Sequence, residues 1–570
     1  MMSKNNLACT SNSRRNLLKG SITAASAGLV SAQLASVSAS AAESSPKTRP
    51  FVERLPVYAP KTTVPELSPP AQAVAMGEEC GRQDHQRWAE FYASKFYELH
   101  VRENMHSFHP DLPIQPIWGY DGIFPGPTFV AKYGEPVIVR IYNELPQNHV
   151  GYGSPEISTH LHNLHNASES DGFTGDYYSA LKFGPTMSAP GKYKDHLYAN
   201  CLAGYDEYHE THGDPREALG TLWYHDHRLD FTAPNVHRGL SGFYLLFDDI
   251  DSGNEYDTNP KALRLPSGVG KYDIPLVFHD KQFNAKGIMA FDSFNSDGIL
   301  GDKFCINGKI QPYFEVERRK YRFRLLDGGP SRFYEFYLSY DGKDQSFTYI
   351  ANDGNLLEAP LVMKKVRLSP AERADIVIDF AAFPIGAQVF LVNKLEQTSG
   401  RGPTGQILSG TQLLRFDVKA NPPVDDASRV PDKLREQPPL PTADELKSMP
   451  KRVWEFDRGN GGWTVNGKLF NVKQVAAKPR LGTQELWILR GKGNWSHPIH
   501  IHFEEGRILS RNGKAPPIHE RGRKDVYVIG PGEELRLVMK FRDYTGKYMM
   551  HCHNLTHEDH AMMVRWDIVT

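Results

Sequence analysis

A chain of 570 residues is too long for one hydrophobic core, so two to four domains are expected. Its formal charge of −1, from 66 basic and 67 acidic side chains, excludes the strongly basic balance of a nucleic-acid binder. With 40% hydrophobic and 11% aromatic residues it is globular, and no later segment offers the 18 consecutive apolar residues of a membrane span.

Ser13-Arg-Arg-Asn-Leu-Leu-Lys19 precedes an Ala-rich, mildly apolar run and the small-residue site Ala39-Ser40-Ala41. This predicts a signal over residues 1–42 for the twin-arginine export machinery, and a periplasmic or secreted protein. The Ser- and Thr-rich run from Gly20 to Ala42 is too polar for a membrane anchor. Losing Lys4, Arg14, Arg15 and Lys19 with the signal takes the charge from −1 to −5. Residues 43–85, rich in Pro, Ser and Thr, predict an irregular arm over the surface.

A first domain is expected over 86–255, with Phe124-Pro-Gly-Pro-Thr128 as a turn and Pro136 to Tyr142 as a strand. His160-Leu-His162 and His225-Asp-His227 follow in strand-like contexts, 157–164 and 222–227. Between them Asp171 to Tyr208 reads as a long polar insertion, with His209 and His212 as candidates for a further metal or as solvated loop histidines. The second domain, 260–420, has only His279, and its Asp297-Gly-Ile-Leu-Gly-Asp302, Asn307-Gly308, Tyr321 to Leu326 and Ala371 to Asp375 stretches read as turns and alternating strands. Seven prolines over 421–450 predict an extended connector. The third domain spans 451–570. Many short strand-like runs between turn signals make the chain all-β.

Two stretches of the third domain carry the chemistry, Trp495-Ser-His-Pro-Ile-His-Ile-His502 and Lys547 to Met563, K-Y-M-M-H-C-H-N-L-T-H-E-D-H-A-M-M. If Tyr548 to Asn554 is a strand, His551 and His553 share one face and Cys552 takes the other. His500 and His502 likewise share a face, and His497 turns the opposite way. A thiolate from Cys552, imidazoles from His497 and His557 and a weak thioether from Met562 make the donor set of a blue-copper site. Met563 competes with Met562 for the axial place. Four His-x-His pairs give eight imidazoles, more than one tetrahedral zinc needs but suited to three coppers with room for dioxygen. Of five cysteines, Cys9 leaves with the signal and Cys552 goes to copper. Cys80, Cys201 and Cys305 then allow at most one disulfide, which the sequence does not assign.

At these residues the chain resembles the multicopper oxidases, the laccase-like family, in particular its bacterial three-domain branch with spore-coat laccases and bilirubin oxidases. H-L-H, W-Y-H-D-H, H-P-I-H-I-H and H-C-H-x3-H-x4-M stand in family order, and the resemblance runs from about Pro113 to the C-terminus. It implies three cupredoxin-like Greek-key β-sandwich domains and about four coppers per chain. His497, Cys552, His557 and Met562 would hold type 1 copper, and His160 and His500 type 2. His162, His225, His227, His502, His551 and His553 would hold the type 3 pair. Asp171 and Glu558 match acidic residues that the family uses near its cluster, as proton relays. The implied function is one-electron oxidation of a phenolic, aminophenolic or bilirubin-like small donor, coupled to four-electron reduction of dioxygen to water. Oxidation of Cu(I) or Mn(II) and a non-catalytic periplasmic copper or electron-transfer role are the alternatives.

Overall fold

In this computed structural model residues 44–77, 79, 81–178 and 193–570 are described. The expected signal at 1–42, Cys80 and residues 179–192 of the insertion lie outside them. Strands dominate, and they sort by sequence into three groups, at 95–247, 273–420 and 451–568. Each group makes two sheets, with four and four strands in the first, eight and six in the second, and six and five in the third.

The three groups repeat one plan. In each, a long opening strand pairs antiparallel with a nearby short one and parallel with a later one: Lys95–His106 with Gln115–Tyr120 and Val137–Asn143, Asp273–Phe283 with Lys303–Ile306 and Lys320–Asp327, and Lys451–Gly459 with Gly462–Val465 and Thr483–Gly491. The second sheet of each holds its own parallel pair, such as Gly126–Lys132 with Ser241–Phe247. Parallel neighbours need a crossover, and here the crossover runs through the opposing sheet. The result is three cupredoxin-like β-sandwiches, each closed over its own core: Leu99, Val101 and Leu246 in the first, Phe323, Phe336 and Leu391 in the second, Trp487, Leu537 and Trp566 in the third.

Among the described residues of 44–94 there is no extended strand, and isolated bridges such as Arg54 to Tyr313 and Val64 to Phe96 join this stretch to the groups. Three expectations need correction. Gly126–Lys132 is already a strand, so the Phe124 to Thr128 turn ends at Pro125. The polar insertion is not all surface loop, because Tyr193–Tyr198 is a fully buried strand against Val137–Asn143. The connector is extended only to Thr442, where a capping box with Glu445 starts the short helix Ala443–Ser448. Cys201 and Cys305 are free and buried, so they do not form a disulfide with each other. Among the described residues no helix is long and apolar enough to cross a membrane.

Candidate metal centre

Antiparallel strands Thr159–His162 and Thr221–Asp226 set His160 opposite His225 and His162 opposite Trp223. In the last group, His497–Ile501 pairs with Gly546–Cys552 and sets His500 opposite His551 and Ile499 opposite Cys552. Alternation therefore sends His500, His502, His551 and His553 to the outer face, toward the first group. His497 and Cys552 go to the inner face, among core residues.

The eight outward histidines meet where the two groups touch, and all are buried. They fall into three sets whose ligating atoms lie within 4.8 Å of one another: His162, His225 and His553; His227, His502 and His551; His160 and His500, the last two joined by His162. His227 Nε2 is 3.1 Å from His551 Nε2, His502 Nε2 is 3.3 Å from His551 Nε2, and His160 Nε2 is 3.4 Å from His500 Nε2. Burial, helped by neighbouring imidazoles, holds these rings below the usual histidine range, to about 3 for His225, His227 and His551, so they are neutral. Nitrogens of neutral rings that face each other without a protein partner, including His225 Nε2 and both nitrogens of His553, are the donor set of soft divalent or monovalent metals.

On the inner face, Cys552 Sγ lies 3.6 Å from His497 Nδ1 and 3.5 Å from His557 Nδ1, and the two nitrogens are 3.1 Å apart. Burial pushes the Cys552 thiol well above its ordinary pKa, so a metal that binds here must displace that proton. Met562 packs in the same core cluster as Cys552. Met563 turns away into another with Phe173 and Met549, which separates the two axial candidates.

The carboxylates stand directly behind the rings. His502 donates from Nδ1 to Asp171 Oδ2 (2.8 Å), and His160 Nδ1 donates to the Asp171 carbonyl. The Asp-Gly turn is itself part of the site. At Gly172, with φ +80°, a Cβ would lie 2.2 Å from the Thr159 carbonyl oxygen, so only glycine brings Asp171 this close. Glu558 lies 3.3 Å from His227 Nδ1 and 3.4 Å from His551 Nδ1, and accepts from Thr232 Oγ1 (2.6 Å). Burial raises the pKa of both acids.

Sequence reasoning missed the residues that arrive from the middle group, which carries no candidate ligand, and from its contacts. Asp525 Oδ1 accepts from His162 Nε2 (3.1 Å), and its carbonyl accepts from His500 Nδ1 (3.0 Å). Arg373 forks onto both Asp525 oxygens at 2.7 and 2.5 Å. Breaking such a buried pair costs about 3–5 kcal/mol, so the fork is a strong tether between groups. Beside Cys552, the Asp297 carbonyl accepts from His557 Nε2 (2.9 Å), and Trp463 lies on the His557 ring at 3.9 Å while donating to the Ser296 carbonyl. Only the position of Lys524-Asp525, just before the strand Val526–Ile529 that flanks His500, offered a signal in the sequence. His209 and His212 are exposed and join no metal-ligating group among the described residues.

A multicopper oxidase family model matches residues 435–569 and a second matches 103–189. The chain is 33% identical to a bilirubin oxidase of Albifimbria verrucaria, over 92% of this chain and 85% of that one. It is 31% identical to a laccase of Bacillus subtilis, over 83% and 94%. A solved laccase from Pediococcus acidilactici shares the fold with a TM-score of 0.70 at 23% identity, covering 93% and 95%. The chain belongs to the multicopper oxidase family. It is an oxidoreductase, and the family implies copper as its metal.

Proposed function

We propose that the protein couples one-electron oxidation of an aromatic donor, phenolic, aminophenolic or bilirubin-like, to four-electron reduction of dioxygen to water. His497, Cys552, His557 and Met562 would hold type 1 copper, His160 and His500 type 2, and His162, His225 and His553 together with His227, His502 and His551 the two type 3 coppers. Bound there, copper supplies the one-electron redox steps and the oxygen chemistry.

The observation that carries this reading is the back-to-back arrangement on one strand. Cys552 faces inward to His497 and His557, while its covalent neighbours His551 and His553 face outward into two different histidine sets. An electron taken up at the thiolate has a path of a few bonds to either set. Asp171 and Glu558 are proposed as the acids that hand protons to the cluster, each touching rings of the set it serves.

On the donor side, buried Trp463 lies against both inner imidazoles and half-buried Trp495 packs edge-on against Trp463. Arg401 and Arg458 rest on them, 5.1 Å above Trp495 and 5.3 Å above Trp463. The half-buried Trp495 ring under the Arg401 guanidinium favours a flat conjugated donor with an anionic substituent over a bare metal ion. Oxygen uptake by the copper-loaded protein is to be compared for phenols, bilirubin, Cu(I) and Mn(II). Faster turnover of the organic donors is expected. Turnover confined to the metal ions would overturn the donor assignment, and a single metal per chain would overturn the oxidase reading.

A further inference from the structure

The middle strand group supplies none of the twelve candidate ligands, yet one of its side chains ends two hydrogen-bonded links from the cluster. Arg373 opens the strand Arg373–Asp379 and is buried, and all five of its N–H donors are used. Nε donates to the Thr221 carbonyl (3.2 Å), one Nη to the Ala371 carbonyl (3.2 Å) and Asp525 Oδ1 (2.7 Å), the other Nη to the Asp353 carbonyl (2.9 Å) and Asp525 Oδ2 (2.5 Å). Thr221 begins the first-group strand that carries His225, whereas Asp525 touches His162 and His500 in the last step before the cluster. One planar guanidinium therefore joins all three sandwiches at a single point.

We propose that Arg373 is a positioning residue of the trinuclear site: by fixing the Asp525 carboxylate and carbonyl it sets the ring orientation of His162 and His500. This rests on the oxidase reading above, in which His500 serves type 2 copper. A guanidinium is suited to the task because its rigid fork meets both carboxylate oxygens in one plane and still has donors left for two further carbonyls. A lysine at 373 would keep the charge but offers one ammonium, which cannot hold the plane of Asp525. Asp353 steadies the same stretch from the other side, its Oδ2 accepting from the Val526 amide (3.2 Å) and pairing with Lys524 (2.8 Å).

The test uses the copper-loaded full chain. Arg373→Lys is expected to keep the blue absorption, the type 1 potential and the KM for the donor. It should shift the type 2 copper hyperfine splitting in electron paramagnetic resonance and slow oxygen reduction at saturating donor by about 10- to 100-fold, the range seen when partners behind metal ligands are changed. Arg373→Gln, which reaches only one Asp525 oxygen, takes the same measurements if the lysine variant does not fold. The control is Arg322→Lys, which disturbs an equally buried fork onto Asp251 and Asp375 that touches no histidine, and should leave the type 2 signal unchanged. Wild-type hyperfine splitting and turnover in the Arg373 variant, or an equal shift in Arg322→Lys, overturns the positioning role. A wild-type protein with no type 2 signal would instead sink the reading on which it rests.

Discussion

His497 and His557, which flank Cys552, are 60 residues apart and belong to the same sandwich, whereas His160 and His500, which face each other in the cluster, are 340 apart and belong to different ones. The candidate ligands of the inner centre thus all come from one sandwich, closed by a strand pair and the short helix Leu555–Asp559, with the Asp297 carbonyl of the middle group behind His557. The cluster exists only while two sandwiches stay pressed together, with a third tethering them through Arg373. Proximity in sequence gives the first centre robustness. Distance makes the second a sensor of interdomain fit.

The largest expected effect separates the two centres completely. Cys552→Ser should abolish the blue absorption and all donor-driven turnover while leaving copper at the cluster, checked by metal analysis and visible spectra. Equal loss of all copper would show that the centres are not independent.

Next comes acid. In the metal-free protein His225, His227, His497 and His551 are held at about 3 by burial, below the 6.5 of an exposed histidine. Between those values the unfolded chain binds protons that the folded chain refuses, so stability falls as pH drops from about 6.5 toward 3. Asp226 and Asp525, raised to about 7 by burial, push the other way between about 4 and 7, but the buried histidines outnumber them. Urea midpoints of the metal-free protein are expected to fall by several kcal/mol in equivalent stability over that range. Copper loading should raise the midpoints, more at neutral than at acid pH because a bound metal displaces the Cys552 proton, and midpoints that copper leaves unchanged would contradict ligation by these groups.

A smaller change probes proton supply to the cluster alone. Asp171→Asn and Glu558→Gln keep size and hydrogen bonding, so blue colour and copper content should persist while oxygen reduction slows by about a hundredfold. Normal turnover with saturating donor in both variants would remove the relay role. Smallest of all, Met562→Leu should only raise the type 1 potential, by loss of a weak donor to oxidised copper, with the cluster untouched. An unchanged potential in a titration would pass the axial role to another group.

What the sequence displayed was whatever depends on neighbours in the chain. Period-two alternation separated Cys552 from His551 and His553, and placed His497 opposite His500 and His502, before any coordinates. The strands around His160 and His225 were legible in their β-rich flanks. Hidden were the partners fixed by distant backbone. Arg373 meets Asp525 across 152 residues, and the Asp297 carbonyl meets His557 across 260, through a main-chain atom that every residue possesses. The strand Tyr193–Tyr198 was misread because Lys194, Asp195 and His196 are polar, although Arg140 pairs with Asp195 on the neighbouring strand and makes their burial tolerable.

The register of two short strands has a consequence for how such a protein tolerates change. Ile499 stands against Cys552 and His500 against His551, and every side chain on these strands is committed to one face. A single residue inserted or deleted within Gly546–Cys552 or within His497–Ile501 shifts the frame by one and exchanges the faces. Sulfur would then point toward the eight-histidine cluster and imidazole toward the apolar interior. Point substitutions here degrade one centre at a time, whereas a one-codon length change scrambles both, so the stretch is open to chemical tuning and closed to indels.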